Sequence, residues 1–292
     1  MQSPLPAEQH LLQLVAKTDE SEISFILAGG LGIYLKHRWV TSQVEAGRWE
    51  PLIPRLPDVR ATRDIDVFLE REAYFSPKRG RVRSILDELD YEPTSEFFIF
   101  KKKLETGEQE HVSVDLLAPH FDDERFRLGN PPRISSAESK KPGTPTSEKL
   151  HAYVTPEAFA IEESPRSIPI GAHFVRVAHP FPALCMKVKA ALDFEEAPLA
   201  ERKPRGERHA ADVYQILSMV NEDEWSECDQ LTKKYRTHPE FRAIQRAVTS
   251  LFGSRHAPGC VIVARTIAGA DLERFVELMA ELFDLAVETP PS

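Results

Sequence analysis

The chain has 292 residues, of which 41% are hydrophobic and 28% charged. This ordinary globular composition excludes disordered, collagen-like and disulfide-scaffold classes, and the length suffices for one sizeable core or two lobes. With 37 Lys+Arg against 46 Asp+Glu, the net charge of −9 argues against a uniformly basic nucleic-acid binder, though not against a local basic face.

The three cysteines (Cys185, Cys228 and Cys260) are scattered, without a C-x-x-C pair. That pattern fits neither a disulfide framework nor a zinc cluster, and it suits a reducing compartment. The first twenty residues, MQSPLPAEQHLLQLVAKTDE, lack the basic-then-apolar order of a signal peptide. No apolar run approaches the roughly 20 residues that span a bilayer. The expectation is a soluble cytoplasmic protein with no membrane partner.

Leu11, Leu12 and Val15 follow Pro6 at helical spacing and predict a first helix. Residues 23–27, ISFIL, predict a short buried strand ending at Ala28-Gly29-Gly30, with a helical pattern (Leu31, Tyr34, Leu35) beyond it. Residues 39–59 carry three prolines and no clean period, and predict a mobile loop or insertion. Asp64–Leu69 predicts a second strand, and 78–90 a helix built on Val82, Ile85, Leu86 and Leu89. Residues 96–100 and 111–117 predict a strand pair joined by a polar turn around Gly107. Residues 129–148, rich in Pro, Ser, Thr and Lys, predict a surface loop or mobile lid. Short strands are expected at 158–161 and 173–177. Beyond Pro182 the spacing is helical at 183–194, 209–220 and, most clearly, 271–286. The expected fold class is therefore α+β: a mixed β-sheet flanked by helices in residues 1–182, then a C-terminal helical lobe in 183–292 that completes a cleft.

The segment Arg60-Ala-Thr62-Arg-Asp64-Ile-Asp66-Val carries the most chemistry. Alternate side chains of a strand share a face, so Asp64 and Asp66 point the same way while Ile65 and Val67 enter the opposite layer. Two neighbouring carboxylates repel unless a proton or cation lies between them, and water-accessible oxygen pairs suit Mg²⁺ bridged to phosphates. A strand end with two solvated acids would look the same. Three features add weight. Gly29-Gly30 stands at a strand-to-helix junction, where backbone N–H groups can approach a phosphate, although a plain tight turn also uses glycines. Asp115 interrupts the apolar run Val112-Ser-Val-Asp-Leu-Leu117 on the face opposite Val112, Val114 and Leu116; one wet face of a strand is the alternative reading. The third is order along the chain, glycine pair, acid pair, then single acid on successive strand-like elements; three carboxylates converging on one or two Mg²⁺ ions is the arrangement that phosphoryl and nucleotidyl transfer require.

Phe25-Ile-Leu-Ala-Gly29-Gly30, then Arg60-x-Thr62-x-Asp64-Ile-Asp66, then Val114-Asp115-Leu116 resemble the polymerase-beta-type nucleotidyltransferase superfamily. Within it, the pattern is most similar to the AbiEii-like toxin group. Leu184-Cys-Met-Lys187 resembles that group's leucine-x-x-lysine helix motif, and His209-Ala-Ala-Asp212 its acid-x-x-Asp motif. The match spans most of residues 25–217. It departs in two places: His209 replaces the first acid, and residues 39–59 lengthen the gap between the glycines and Asp64. The resemblance implies Asp64, Asp66 and Asp115 as ligands of Mg²⁺ or Mn²⁺, with Asp115 also positioning the acceptor hydroxyl. It implies that Gly29, Gly30, Arg60, Thr62, Lys187 and Asp212 bind the NTP. It further implies tRNA or another cellular acceptor, and an antitoxin protein as partner.

Read without the resemblance, Lys187 is a lysine snorkelling from an apolar helix, Asp212 a helix-packing partner that could hold it, and His209 a surface or capping histidine. The basic stretches at 78–83 and 101–103, and Arg202, Lys203, Arg205 and Arg208, read as solvated faces or as RNA-backbone contacts. Rival functions are a small-molecule, antibiotic-type nucleotidyltransferase, a D-x-D glycosyltransferase, and a non-catalytic regulatory module that retains the fold.

Overall fold

The computed structural model describes residues 6–60, 62–69, 78–95, 98–104, 111–119, 150, 152–197 and 204–285. The predicted lid at 129–148 and the turn around Gly107 lie outside the described residues, as do Arg202 and Lys203.

Helix α1 (Pro6–Glu20) buries Ala7, Leu11, Leu14 and Val15 along one stripe. Strand β1 (Phe25–Leu27) is buried at every position and has a neighbouring strand on each side. Helix α2 (Gly29–Glu45) starts at once, and β2 (Asp64–Leu69) is exposed at its first residue and buried over its last three. Then come α3 (Lys78–Glu88), β3 (Glu92–Pro93), β4 (Ile99–Lys103), β5 (His111–Pro119), β6 (Tyr153–Thr155), β7 (Arg166–Ile170) and β8 (His173–Val177). These strands form one sheet in the order β3-β4-β5-β2-β1-β8-β7, with β6 also paired to β5. The sheet is mixed: β2–β5, β1–β8 and β5–β6 run parallel, while β1–β2, β3–β4, β4–β5 and β7–β8 run antiparallel. Helix α1 packs on α3 and on β2, β5 and β8.

The C-terminal part is helical: α4 (Pro180–Glu196), α5 (Arg208–Ser218), α6 (Glu222–Tyr235), α7 (Pro239–Phe252), α8 (Pro258–Thr266) and α9 (Leu272–Leu282). Its core stacks Phe181 on Phe241 and Phe241 on Phe283, with Phe252 edge-on to Phe275. The expected α+β class, with a mixed sheet flanked by helices and a helical C-terminal region, is the observed architecture. The described residues divide into two compact units, one of residues up to Leu35 plus Arg60–His179, the other of Lys36–Val59 plus residues from Pro180 onward.

Two expectations are corrected. Residues 39–45 are not a loop but the last turns of α2, and 46–59 are tied down: Leu52 N donates to Val220 O (2.8 Å), Trp49 Nε1 to Met219 O (2.9 Å), and Ile53 is buried. The helical period was obscured because one of its buried positions, between Ile33 and Val40, is Lys36, whose charge is met by Glu224. Residues 158–161 are not a strand. They close a 3-10 turn (Pro156–Ala158) in which Ile161 N donates to Ala158 O and Ala160 adopts φ 58°, burying Ala158 and Ile161 without extension. The strands there are β6 and β7.

Candidate functional site

The alternation expected for Asp64–Leu69 is present. Ile65 and Val67 are buried on one side, while Asp64 is exposed and Asp66 half-buried. On β5, Val112, Val114 and Leu116 are buried and Asp115 lies on the opposite face, partly accessible. Parallel pairing of β2 with β5 sets Asp64 against Ser113 and Asp66 against Asp115. Register partners on neighbouring strands, about 4.8 Å apart, project to the same face. Asp64, Asp66, Ser113 and Asp115 thus form a two-by-two grid. Across β4, Lys101 is the register partner of Ser113 and shares this face.

Within the grid, Ser113 Oγ donates to Asp64 Oδ1 at 2.9 Å. Thr62 Oγ1 accepts from Asp64 N at 3.2 Å, fixing the backbone where the strand begins. Asp115 Oδ1 is buried and has no hydrogen-bond partner among the described residues. Burial, then the charges of Asp66 and Asp64, push the Asp115 carboxyl up to about 7; the Ser113 hydroxyl and Lys101 work the other way.

The glycine pair abuts the acids. Ala28 N donates to Asp66 O (3.0 Å), so the chain crosses from β1 into α2 beside β2. Gly29 takes φ 60°, and a β-carbon there would collide with Asp66 Oδ2. At Gly30 a β-carbon would press on the Thr62 methyl at 3.2 Å. Gly29, Gly30, Thr62, Asp64, Asp66 and Asp115 therefore converge, all within the first unit. Arg60 belongs to the same unit and is exposed.

The donors on this face are carboxylate and hydroxyl oxygens, the set that Mg²⁺ or Mn²⁺ prefers, and the orphaned Asp115 Oδ1 beside Asp66 fits a hard cation. Among the described residues no group of three or more His, Cys, Asp or Glu side chains is placed to hold a metal ion together, so the expected trio Asp64, Asp66 and Asp115 does not form a ready-made three-ligand site. An ion here would be held by one or two carboxylates, with water and phosphate oxygens filling the rest.

The second unit holds the remaining predicted residues. Lys187 on α4 is buried, and its Nζ lies 2.7 Å from Asp212 Oδ2 on α5. His209 Nδ1 lies 4.0 Å from the same oxygen, one turn earlier in the helix. Lys189 faces away from that cluster and pairs with Glu240. In the first unit, Arg81 pairs with Glu88, Arg83 with Asp87, and Lys102 Nζ donates to Leu89 O, so much of the basic stretches is spent on internal contacts. Sequence reasoning missed Ser113. The signal was available, because the alternation that turned Asp115 toward the acids turns Ser113 the same way.

No protein-family model and no curated protein matches the chain. Among solved structures, it is similar to the antibiotic-resistance factor ANT(2'')-Ia in solution (14% identity, TM-score 0.38, covering 79% of this chain and 97% of that one). The same factor crystallised with adenylyl-2''-tobramycin gives 16% identity and TM-score 0.40, with 75% of this chain and 92% of that one covered. An antigenic nucleotidyltransferase-like protein from Paracoccidioides brasiliensis gives 12% and 0.37, with 84% and 95% covered. Likeness at this level carries no argument about substrate or chemistry. Among the described residues no helix is long and apolar enough to cross a membrane.

Proposed function

We propose that the chain is a nucleotidyltransferase that moves an NMP from an NTP to an acceptor hydroxyl. The observation that supports this best is the register pairing of Asp66 with Asp115 beside the left-handed Gly29. Asp64 and Asp66, with Asp115 completing the set, would hold a Mg²⁺ or Mn²⁺ ion, which would neutralise charge on the phosphate oxygens. The chain's own groups do the rest. The first-turn N–H groups of α2, opened by Gly29 and Gly30, bind the triphosphate, and the helix dipole favours its charge. Arg60 and Thr62 flank that anion. Asp115 orients the acceptor hydroxyl, and a carboxylate so placed can take up its proton. The acceptor oxygen bonds to the α-phosphorus as the bond to pyrophosphate breaks. Lys187, paired with Asp212, is assigned to the nucleotide phosphates by the resemblance alone.

The resemblance to the AbiEii-like group makes tRNA the first acceptor to examine, with the chain as a toxin restrained by an antitoxin, and small hydroxylated molecules the second. The deciding experiment incubates the chain with each α-labelled NTP, Mg²⁺, and bulk RNA, protein or small-molecule acceptors in turn. Label transfer with pyrophosphate release, abolished by the double substitution Asp64→Ala and Asp66→Ala, is the expected outcome. Transfer that survives the double substitution, or no transfer to any acceptor, refutes the reading.

A further inference from the structure

We propose that Ser113 is a positioning residue whose hydroxyl holds the Asp64 carboxylate in the orientation that a divalent cation requires. The inference deepens the nucleotidyltransferase reading and rests on it for the identity of the ligand. Ser113 is buried, and a buried hydroxyl is costly unless it is hydrogen-bonded. Its hydroxyl donates to Asp64 Oδ1 at 2.9 Å and also lies near enough to Asp115 to favour that carboxylate. The register that sets Ser113 opposite Asp64 is part of a ladder running from Asp64 to Phe68 on one strand and Ser113 to Leu117 on the other, so the donor sits on rigid backbone.

The flanking positions of β5 are valines, and packing alone would be served better by valine, a strong strand former. What serine adds is a short donor aimed at an anion, the stronger kind of hydrogen bond. With Oδ1 engaged by Ser113 and its backbone N–H engaged by Thr62, Asp64 is held at both ends, and Oδ2 is left as its cation-binding oxygen. The hydroxyl also spreads part of the negative charge that Asp64, Asp66 and Asp115 concentrate on one face. Outer partners of this kind typically govern cation affinity by ten-fold or more.

The test measures Mn²⁺ binding to the full chain by electron paramagnetic resonance, without nucleotide, alongside the thermal midpoint of each variant. Ser113→Ala is expected to weaken Mn²⁺ binding about ten-fold while the midpoint stays close to wild type, and Ser113→Thr, which keeps the hydroxyl, to bind as wild type does. Asp64→Asn serves as the reference for loss of the ligand itself. If Ser113→Ala does not fold, Ser113→Cys, similar in size but a weak donor, takes its place. Equal Mn²⁺ affinity in wild type and Ser113→Ala, with Asp64→Asn impaired, overturns the role of Ser113 and leaves the enzymatic reading standing. Equal loss in Ser113→Ala and Ser113→Thr also overturns it, because packing and not the hydroxyl would then be responsible. Absence of Mn²⁺ binding by the wild-type chain overturns both.

Discussion

Gly29 lies against the Asp66 carboxylate with no room between them for a β-carbon, and it does so in the left-handed region at φ 60°. The two constraints are separate. The backbone angle alone costs an L-residue about 1–2 kcal/mol, and the collision adds the displacement of an acid from the candidate site. Gly29→Ala is therefore expected to lower stability by about 2 kcal/mol or more in denaturant titration and to reduce nucleotide transfer more than ten-fold. Combined with Asp66→Ala, its cost should fall toward the backbone part alone, since the carboxylate it strikes is gone. Strict additivity of the two substitutions would show that they do not touch.

Asp115 makes stability depend on pH in a definite direction. Its carboxyl rises from 3.8 to about 7 in the folded chain, so the native state binds the proton more tightly than the unfolded state does. Stability is full below the lower value and falls as pH rises through the higher one. The full penalty is about 2–4 kcal/mol, and it is present in chelator-treated protein at a pH of about 8. Asp115→Asn should remove it, raising the thermal midpoint at that pH and changing little near pH 4. Parallel pH–stability curves for the two proteins would contradict this assignment.

Lys36 and Glu224 form a buried ion pair, with Lys36 Nζ 2.8 and 2.7 Å from the two carboxylate oxygens. Removing Glu224 leaves a buried ammonium without its carboxylate, and removing Lys36 takes two charge-assisted hydrogen bonds from Glu224. Lys36→Ala and Glu224→Ala are each expected to cost about 3–5 kcal/mol in urea titration, whereas Lys36→Met with Glu224→Leu should recover most of the loss. A double variant as unstable as the sum of the singles would mean that the pair contributes through shape and not charge.

The resemblance implies a contact of Lys187 with the nucleotide phosphates, and substitution at this lysine tests it through binding. Lys187→Met is expected to raise the KM for NTP about ten-fold or more, with a smaller increase for Asp212→Asn, which only frees the lysine. Unchanged KM with lowered stability would make Lys187–Asp212 a packing pair alone.

Local patterns in the chain went far. Period-two alternation in Asp64-Ile-Asp-Val and Val112-Ser-Val-Asp fixed which faces the acids occupy, and the strand-to-helix turn at Gly29-Gly30 was legible because glycine pairs mark sharp reversals. The same reasoning failed where a local signal was masked or absent. The helical stripe through Ile33 and Val40 was hidden by Lys36, whose partner lies 188 residues away. β7 was overlooked because RSIPI contains a proline, which an edge strand tolerates and an interior one does not.

The sequence by itself determined that acids would line one face of each strand, and that glycine would open the following helix, since both depend only on backbone geometry within a few residues. Only the tertiary structure decided that β2 and β5 would be neighbours, that Asp66 would stand opposite Asp115, and that Ser113 would meet Asp64. Strand order and register are settled by hydrogen-bond ladders and burial between segments 49 residues apart, and no local pattern specifies which strand a given strand will choose.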